Sequence, residues 1–202
     1  MNTRALQLAV LQILDAAIGH LDHDLPLYGD WSVQGFGVLR LYIRRIGRLH
    51  IWDGRLRYPD VSLIHTHSWD LRSTVVVGRL VNTRYRESEI PGYGHPYKRH
   101  RLLTGYQARP VSEAADVRLL PEPREVYGPG DVYAQAAHEI HRSEPEDGTI
   151  TLMERREDVD GQADVYWPAS CTWGTATPRP ATGEEVRRTV TLALAGLEEA
   201  LR

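Results

Sequence analysis

The sequence predicts one mainly β domain, a barrel of short strands with an accessory helix at each end. Three observations predict it. Short apolar or alternating runs recur through the middle of the chain, helical periodicity is confined to the two ends, and a strand-like segment carries a pair of histidines. At 202 residues, 42% of them hydrophobic and 25% charged, the chain has the size and composition of a single folded domain.

Each element has its own signal. Over residues 4–21, Leu6, Val10, Ile13, Leu14, Ala17, Ile18 and Leu21 return on one face at helical spacing. Residues 183–201 repeat the pattern through Val186, Val190, Leu194, Leu197 and Leu201, and Thr182 with Glu185 has the spacing of a capping box. Between them, the runs 38–43, 48–52, 73–77 and 149–153 are β-branched or alternate apolar with polar residues. Gly47, Asp53-Gly54, Pro59-Asp60, Gly78, Pro129-Gly130-Asp131 and Asp147-Gly148 supply the turns. The barrel is expected over 31–175, after an N-terminal helical segment (1–30) and before a C-terminal helix (182–202). Residues 84–128, rich in Pro, Tyr and charge, read as an insertion carrying an extra hairpin and a flap that shapes a pocket.

The charge balance, 24 Lys and Arg against 27 Asp and Glu for a net −3, lacks the basic excess of a general nucleic-acid or membrane-surface binder. No run is apolar for long enough to span a bilayer, and the N-terminus lacks a signal-peptide core. The single cysteine, Cys171, cannot form an internal disulfide, which suits the cytoplasm, and it is expected as a partly buried thiol.

Nine histidines are present, and most need no special account. His20 and His23 close the first helix, His50 alternates on a strand, and His95 and His100 lie in the insertion. His65 and His67 differ. On a strand, residues two apart face the same side, so both imidazoles project together and need polar partners, which a metal ion supplies. A third ligand must come from elsewhere, and the segment Gly130-Asp131-Val-Tyr-Ala-Gln-Ala-Ala-His138-Glu-Ile-His141 offers one.

With those two segments, the chain resembles the cupin superfamily. Its first motif carries His-x-His, an acidic residue and a glycine, and its second a glycine, a Pro-x-Gly-type turn and a final histidine. Gly130 precedes His141 by the family's spacing, Ala136 and His138 stand where the Pro and Gly of that turn usually sit, and Gly78 falls near the first motif's closing glycine. The resemblance spans about residues 59–153 and implies a double-stranded β-helix barrel in which His65, His67 and His141 hold one divalent metal.

Arg72 occupies the family's acidic ligand position, so the site is similar to the three-histidine subgroup that includes cysteine dioxygenase and related thiol dioxygenases. Cys171 does not match the cysteine that cysteine dioxygenase places after its histidine pair, so the resemblance does not extend to the substrate. It implies a mononuclear non-haem Fe(II) dioxygenase acting on a small anionic molecule, with Zn, Ni or Cu as other metals that imidazole ligands accept. A metal-dependent isomerase or lyase, or a non-catalytic small-molecule-binding barrel, are the alternatives. Arg72, Arg44 or Arg142 would hold the substrate anion. Tyr133 and Tyr127, beside the second motif, are candidates for proton delivery or oxygen positioning. His138 is expected to face away from the metal, a fourth ligand being the other reading. A homodimer is the expected assembly, with no nucleic-acid or membrane partner.

Overall fold

The computed structural model describes residues 2–19, 31–43, 46–58, 61–103, 109–110, 113–170 and 178–202. Helix α1 (Thr3–Gly19) precedes strands β1 (Trp31–Gln34), β2 (Phe36–Ile43), β3 (Gly47–Arg57), β4 (Ile64–His65) and β5 (Trp69–Val77). Then come β6 (Leu80–Glu87), β7 (His95–Leu103), β8 (Arg109–Pro110), β9 (Ala115–Pro121), β10 (Glu125–Tyr127), β11 (Val132–Gln135) and β12 (Ile140–Pro145). Strands β13 (Ile150–Asp158), β14 (Gln162–Pro168) and β15 (Arg179–Pro180) lead to helix α2 (Gly183–Leu201).

The strands form two antiparallel sheets. The first is seven-stranded, in the order β11-β5-β13-β3-β2-β1-β15. The second follows the path β10-β6-β12-β4-β14-β7-β8, and β9 pairs with both β6 and β7. Strand pairing therefore closes on itself through β6, β12, β4, β14, β7 and β9, and that ring is filled by Ile64, Leu119 and Tyr166 with Tyr85, Tyr97, Val117 and Ile140 against them.

The first sheet is buried on both sides. Alternation sends Leu39, Leu41, Leu49, Ile51, Val76 and Ile150 to one face, where both helices cover them with Leu6, Val10, Leu14, Val186, Val190 and Leu197. Each such side chain, when fully buried, contributes roughly 1.5–3 kcal/mol. The opposite face meets the second sheet, since Leu71, Val75, Tyr133 and Met153 pack with Leu80 of β6. The space between the sheets, lined partly by polar residues, is the lumen in which the site lies.

Both helices match their periodicity, and each has a cap. Asn2 Oδ1 accepts from the Arg4 backbone N–H at 3.0 Å. The Thr182–Glu185 capping box forms in both directions. The turn between β5 and β6 uses Gly78 at φ +85°, where a Cβ would lie 2.5 Å from Thr149 Oγ1, so both conformation and space require glycine.

Residues 84–128 carry the expected extra hairpin, in which β7 pairs antiparallel with β9, and further strands besides. Most of the described ones belong to β6, β7, β9 and β10. Their charges pair on that structure: Arg99 with Glu87 at 2.8 Å and Lys98 with Asp116 at 3.0 Å. Among these residues, Tyr85 and Tyr97 pack inside the ring of strands. No helix among the described residues is long and apolar enough to cross a membrane.

Candidate metal centre

His65 ends β4, His67 follows two residues later, and His141 stands on β12 directly opposite His65 in the β12–β4 pairing. Opposed residues of an antiparallel pair share a face, so strand register brings the distant third histidine to the first two. The ring centroids lie 4.8 Å (His65–His67), 4.6 Å (His65–His141) and 5.0 Å (His67–His141) apart. One nitrogen from each ring falls within 4.8 Å of those of the others.

The surroundings orient the rings. His65 Nδ1 lies 3.2 Å from the Leu63 carbonyl oxygen and His141 Nδ1 3.0 Å from that of Glu139. A carbonyl only accepts, so each Nδ1 carries the proton and each Nε2 presents a lone pair, the tautomer a metal ligand needs. Phe36 stacks on His65 at 4.7 Å, and Trp69 on His67 at 5.1 Å. The backbone is pinned as well: Thr66 N–H donates to the Asp164 carbonyl at 2.8 Å, and His138 N–H donates to the His67 carbonyl at 2.8 Å.

All three rings are neutral at physiological pH. Burial, with the neighbouring His141, pushes His65 down to about 3 against the Leu63 bond. Burial pushes His141 down to about 4 despite its bond to Glu139, and Arg84 adds to the fall. His67 is held well below the ordinary histidine range by burial first, then by His65, His141, Arg48 and His50. Three neutral imidazoles with no carboxylate among them form a donor set that suits a borderline divalent ion and leaves its charge uncompensated.

The other expected residues fall in different places. Arg72 is exposed on β5, opposite Ala134 and Glu154, while its neighbours Leu71 and Ser73 are buried. Strand alternation therefore turns it to the face opposite Leu71 and Ser73, out of the lumen. Arg142 follows His141 on β12 and so faces the other way, paired with Glu144 at 2.8 Å. Arg44 and Cys171 lie outside the described residues, as do His20 and His23. His138 takes φ +62° and its Nε2 lies 3.4 Å from Asp160 Oδ2; it is not part of the three-histidine group. Tyr133 and Tyr127 do face the lumen, in its apolar cluster, with ring centroids 5.1 Å apart. Burial pushes the Tyr133 hydroxyl up to about 12, and Tyr127 donates to Glu125 at 2.9 Å.

The sequence reading missed Arg40, Arg48 and His50. In the β2–β3 register Arg40 opposes His50 and Tyr42 opposes Arg48, and in the β3–β13 register His50 opposes Thr151, all on the lumen face. Arg40 and Arg48 are only 8% and 9% exposed. Burial, then the nearby Arg48 charge, pushes Arg40 down to about 10. Burial pushes His50 down to about 3, with both arginines adding to it. The signal was there in Leu39-Arg40-Leu41 and Leu49-His50-Ile51: where helices cover the apolar face, the polar face is the interior one.

No protein-family model matches the sequence, and no curated protein matches it either.

Proposed function

We propose that the protein is a metal-dependent enzyme of the cupin kind, with the two sheets as the halves of a double-stranded β-helix. In this reading it is a mononuclear non-haem Fe(II) dioxygenase acting on a small anionic substrate. The observation that carries the reading is the convergence of His65, His67 and His141, one nitrogen of each within 4.8 Å of those of the others, with the Nε2 lone pairs of His65 and His141 left free. Bound there, divalent iron would supply a Lewis-acidic centre with positions left for substrate and dioxygen.

The chain's own residues do the rest. Phe36 and Trp69 fix the ring planes of His65 and His67 by stacking. Arg48 and Arg40 put positive charge on the lumen wall, where an anionic group is desolvated and held. Tyr133 keeps its proton at any physiological pH, so at a substrate oxygen it would act as a hydrogen-bond donor.

The test is metal content and turnover together. Replacing His65, His67 or His141 by Ala should each remove most of the bound iron, measured by elemental analysis after anaerobic Fe(II) loading. Unchanged metal in all three variants would end the proposal. The loaded protein should consume O₂ with a small carboxylate or thiol substrate. Turnover under nitrogen with Zn(II) or Ni(II), and none with iron and O₂, would replace the dioxygenase with an isomerase or lyase.

A further inference from the structure

Among the described residues, the lumen wall opposite the three histidines has cations but no counter-charge beside them. Arg40 spends its bonds on neutral acceptors: Nε and Nη2 donate to Ser32 Oγ at 3.2 and 3.1 Å, and Nη1 donates to Gln34 Oε1 at 3.1 Å. Arg48 lies over the Tyr42 ring at 4.5 Å and the Trp69 ring at 5.6 Å. Its Nε is buried with no hydrogen-bond partner among the described residues. No carboxylate accompanies either guanidinium among those residues. Arg48 has a hydrogen bond with the Tyr42 side chain, but a charge kept this dry without a counter-charge is costly unless something brings one.

The lumen has surplus donors on both sheets, Asn82 on β6 of the second and the others on the first. Trp52 Nε1, Trp69 Nε1, Asn82 Nδ2, Gln135 Nε2 and Thr151 Oγ1 are all buried without a partner among the described residues. Asn82 already accepts the Ser143 hydroxyl on its Oδ1 at 3.2 Å, so what it offers the lumen is N–H. Native proteins leave few buried polar groups unsatisfied, and so many around one lumen point to a ligand that brings acceptors. Groups able to receive an ammonium are scarce. Glu125 and Glu139 are both engaged by the Arg84 guanidinium. The metal centre and this wall are one site: the Trp69 ring that carries Arg48 is the ring that stacks on His67.

We infer that the lumen binds a small oxygen-rich organic acid, a hydroxy- or dicarboxylic acid, in preference to a thiol-bearing amino acid. One carboxylate lies against Arg40 and Arg48, the remaining oxygens take the Asn82, Gln135 and tryptophan donors, and one end reaches the three imidazoles. The lumen offers N–H donors in number and, among the described residues, no carboxylate beside Arg40 or Arg48, so an amino acid would leave its ammonium unpaired while filling few of the acceptor places. The inference rests on the proposed function for placing the substrate in the lumen, and not on the metal.

The experiment is calorimetric titration of the full chain, stripped of metal with a chelator, using malate, tartrate and succinate against cysteine and inorganic phosphate. The acids should bind and cysteine should not. Arg48→Gln and Arg40→Gln should each weaken malate by about tenfold or more, the loss expected for one charged hydrogen bond. Gln135→Glu tests the same wall without removing a buried arginine, and should weaken malate as much by placing a carboxylate against it; near-ultraviolet circular dichroism establishes that each variant is folded. Cysteine binding as well as malate, phosphate binding better than any acid, no acid binding at all, or malate affinity unchanged in all three variants would overturn the inference. The two readings separate cleanly. Acid binding with no metal held by the three histidines would keep this inference and sink the proposed function. Metal held by the histidines in a lumen that refuses every acid would do the reverse.

Discussion

The two faces of the first sheet are built from the same strands and do opposite work. On β2 and β3, Leu39, Leu41, Leu49 and Ile51 turn to the helices and are almost wholly excluded from water. Their immediate neighbours Arg40, Arg48 and His50 turn to the lumen, where polar atoms of Arg48 and His50 lack partners. The helix face gains from every apolar side chain it closes. The lumen face keeps buried polar groups that no described residue satisfies. Stability and binding are thus separated by a single step along each strand, and substitutions one residue apart should fall into different classes.

The largest expected effect comes from acid. Histidines 50, 65, 67 and 141 are neutral in the fold, with their pKa values pushed below the ordinary 6.5. The unfolded chain binds protons at each from about 6.5 downward, while the fold does not. The stability these rings carry is therefore whole above pH 6.5 and is lost as pH falls from there toward 4. Each ring that stays neutral costs about 1.4 kcal/mol per pH unit. Denaturant midpoints of the metal-free protein should fall steeply between pH 6.5 and 4. A flat profile over that range would mean the lumen is wet enough to hold the rings charged.

Leu49→Ala breaks the helix face. Leu49 is fully buried, and a cavity of this kind costs about 2–5 kcal/mol. The denaturant midpoint should fall accordingly, with metal content of the folded fraction unchanged. Loss of metal at full stability would place Leu49 on the wrong face.

What the sequence made legible follows from these periodicities. Helix faces and the Thr182–Glu185 box are local, so they can be read without knowing the fold. His65 and His67 are two residues apart, and His141 was reached through a spaced motif; the strand register that brings His141 to His65 has no local signature. Arg72 shows the limit. The spacing put it at a ligand position, but pleat parity decides which way a strand residue points, and β5 sends Leu71 and Ser73 inward. Residues 84–128 were legible as an insertion with an extra hairpin, but not the extent of its strands, because its charges are cross-strand pairs visible only when β7 lies beside β9. Arg40, Arg48 and His50 were read as ordinary strand alternation because the two faces of a sheet look alike until the helices cover one of them.

Thr151→Val sharpens the comparison at the lumen. Thr151 is fully buried, and its Oγ1 has no partner among the described residues. Removing an unsatisfied hydroxyl at nearly constant volume should leave stability equal or higher by about 1 kcal/mol, while acid binding weakens. The nearby Leu49→Ala does the reverse. A clear loss of stability in Thr151→Val would mean that the hydroxyl has a partner in the ligand-free protein.

The smallest effect is expected at Arg72, and it is the control on all the others. The residue holds the place where the resemblance puts an acidic metal ligand, so a reading by spacing alone makes it central. Strand parity makes it a surface residue: it opposes Ala134 and Glu154, both exposed, while the buried positions of β5 point the other way. An exposed arginine facing a carboxylate contributes about 0–1 kcal/mol, screened by salt. Arg72→Ala should therefore shift the denaturant midpoint by no more than that and leave metal content and malate affinity as they are. Arg48→Ala, a lumen residue of the same side-chain type, should abolish most acid binding. If Arg72→Ala costs as much binding as Arg48→Ala, the parity of β5 is wrong by one residue, and with it the division of the first sheet into a structural face and a binding face.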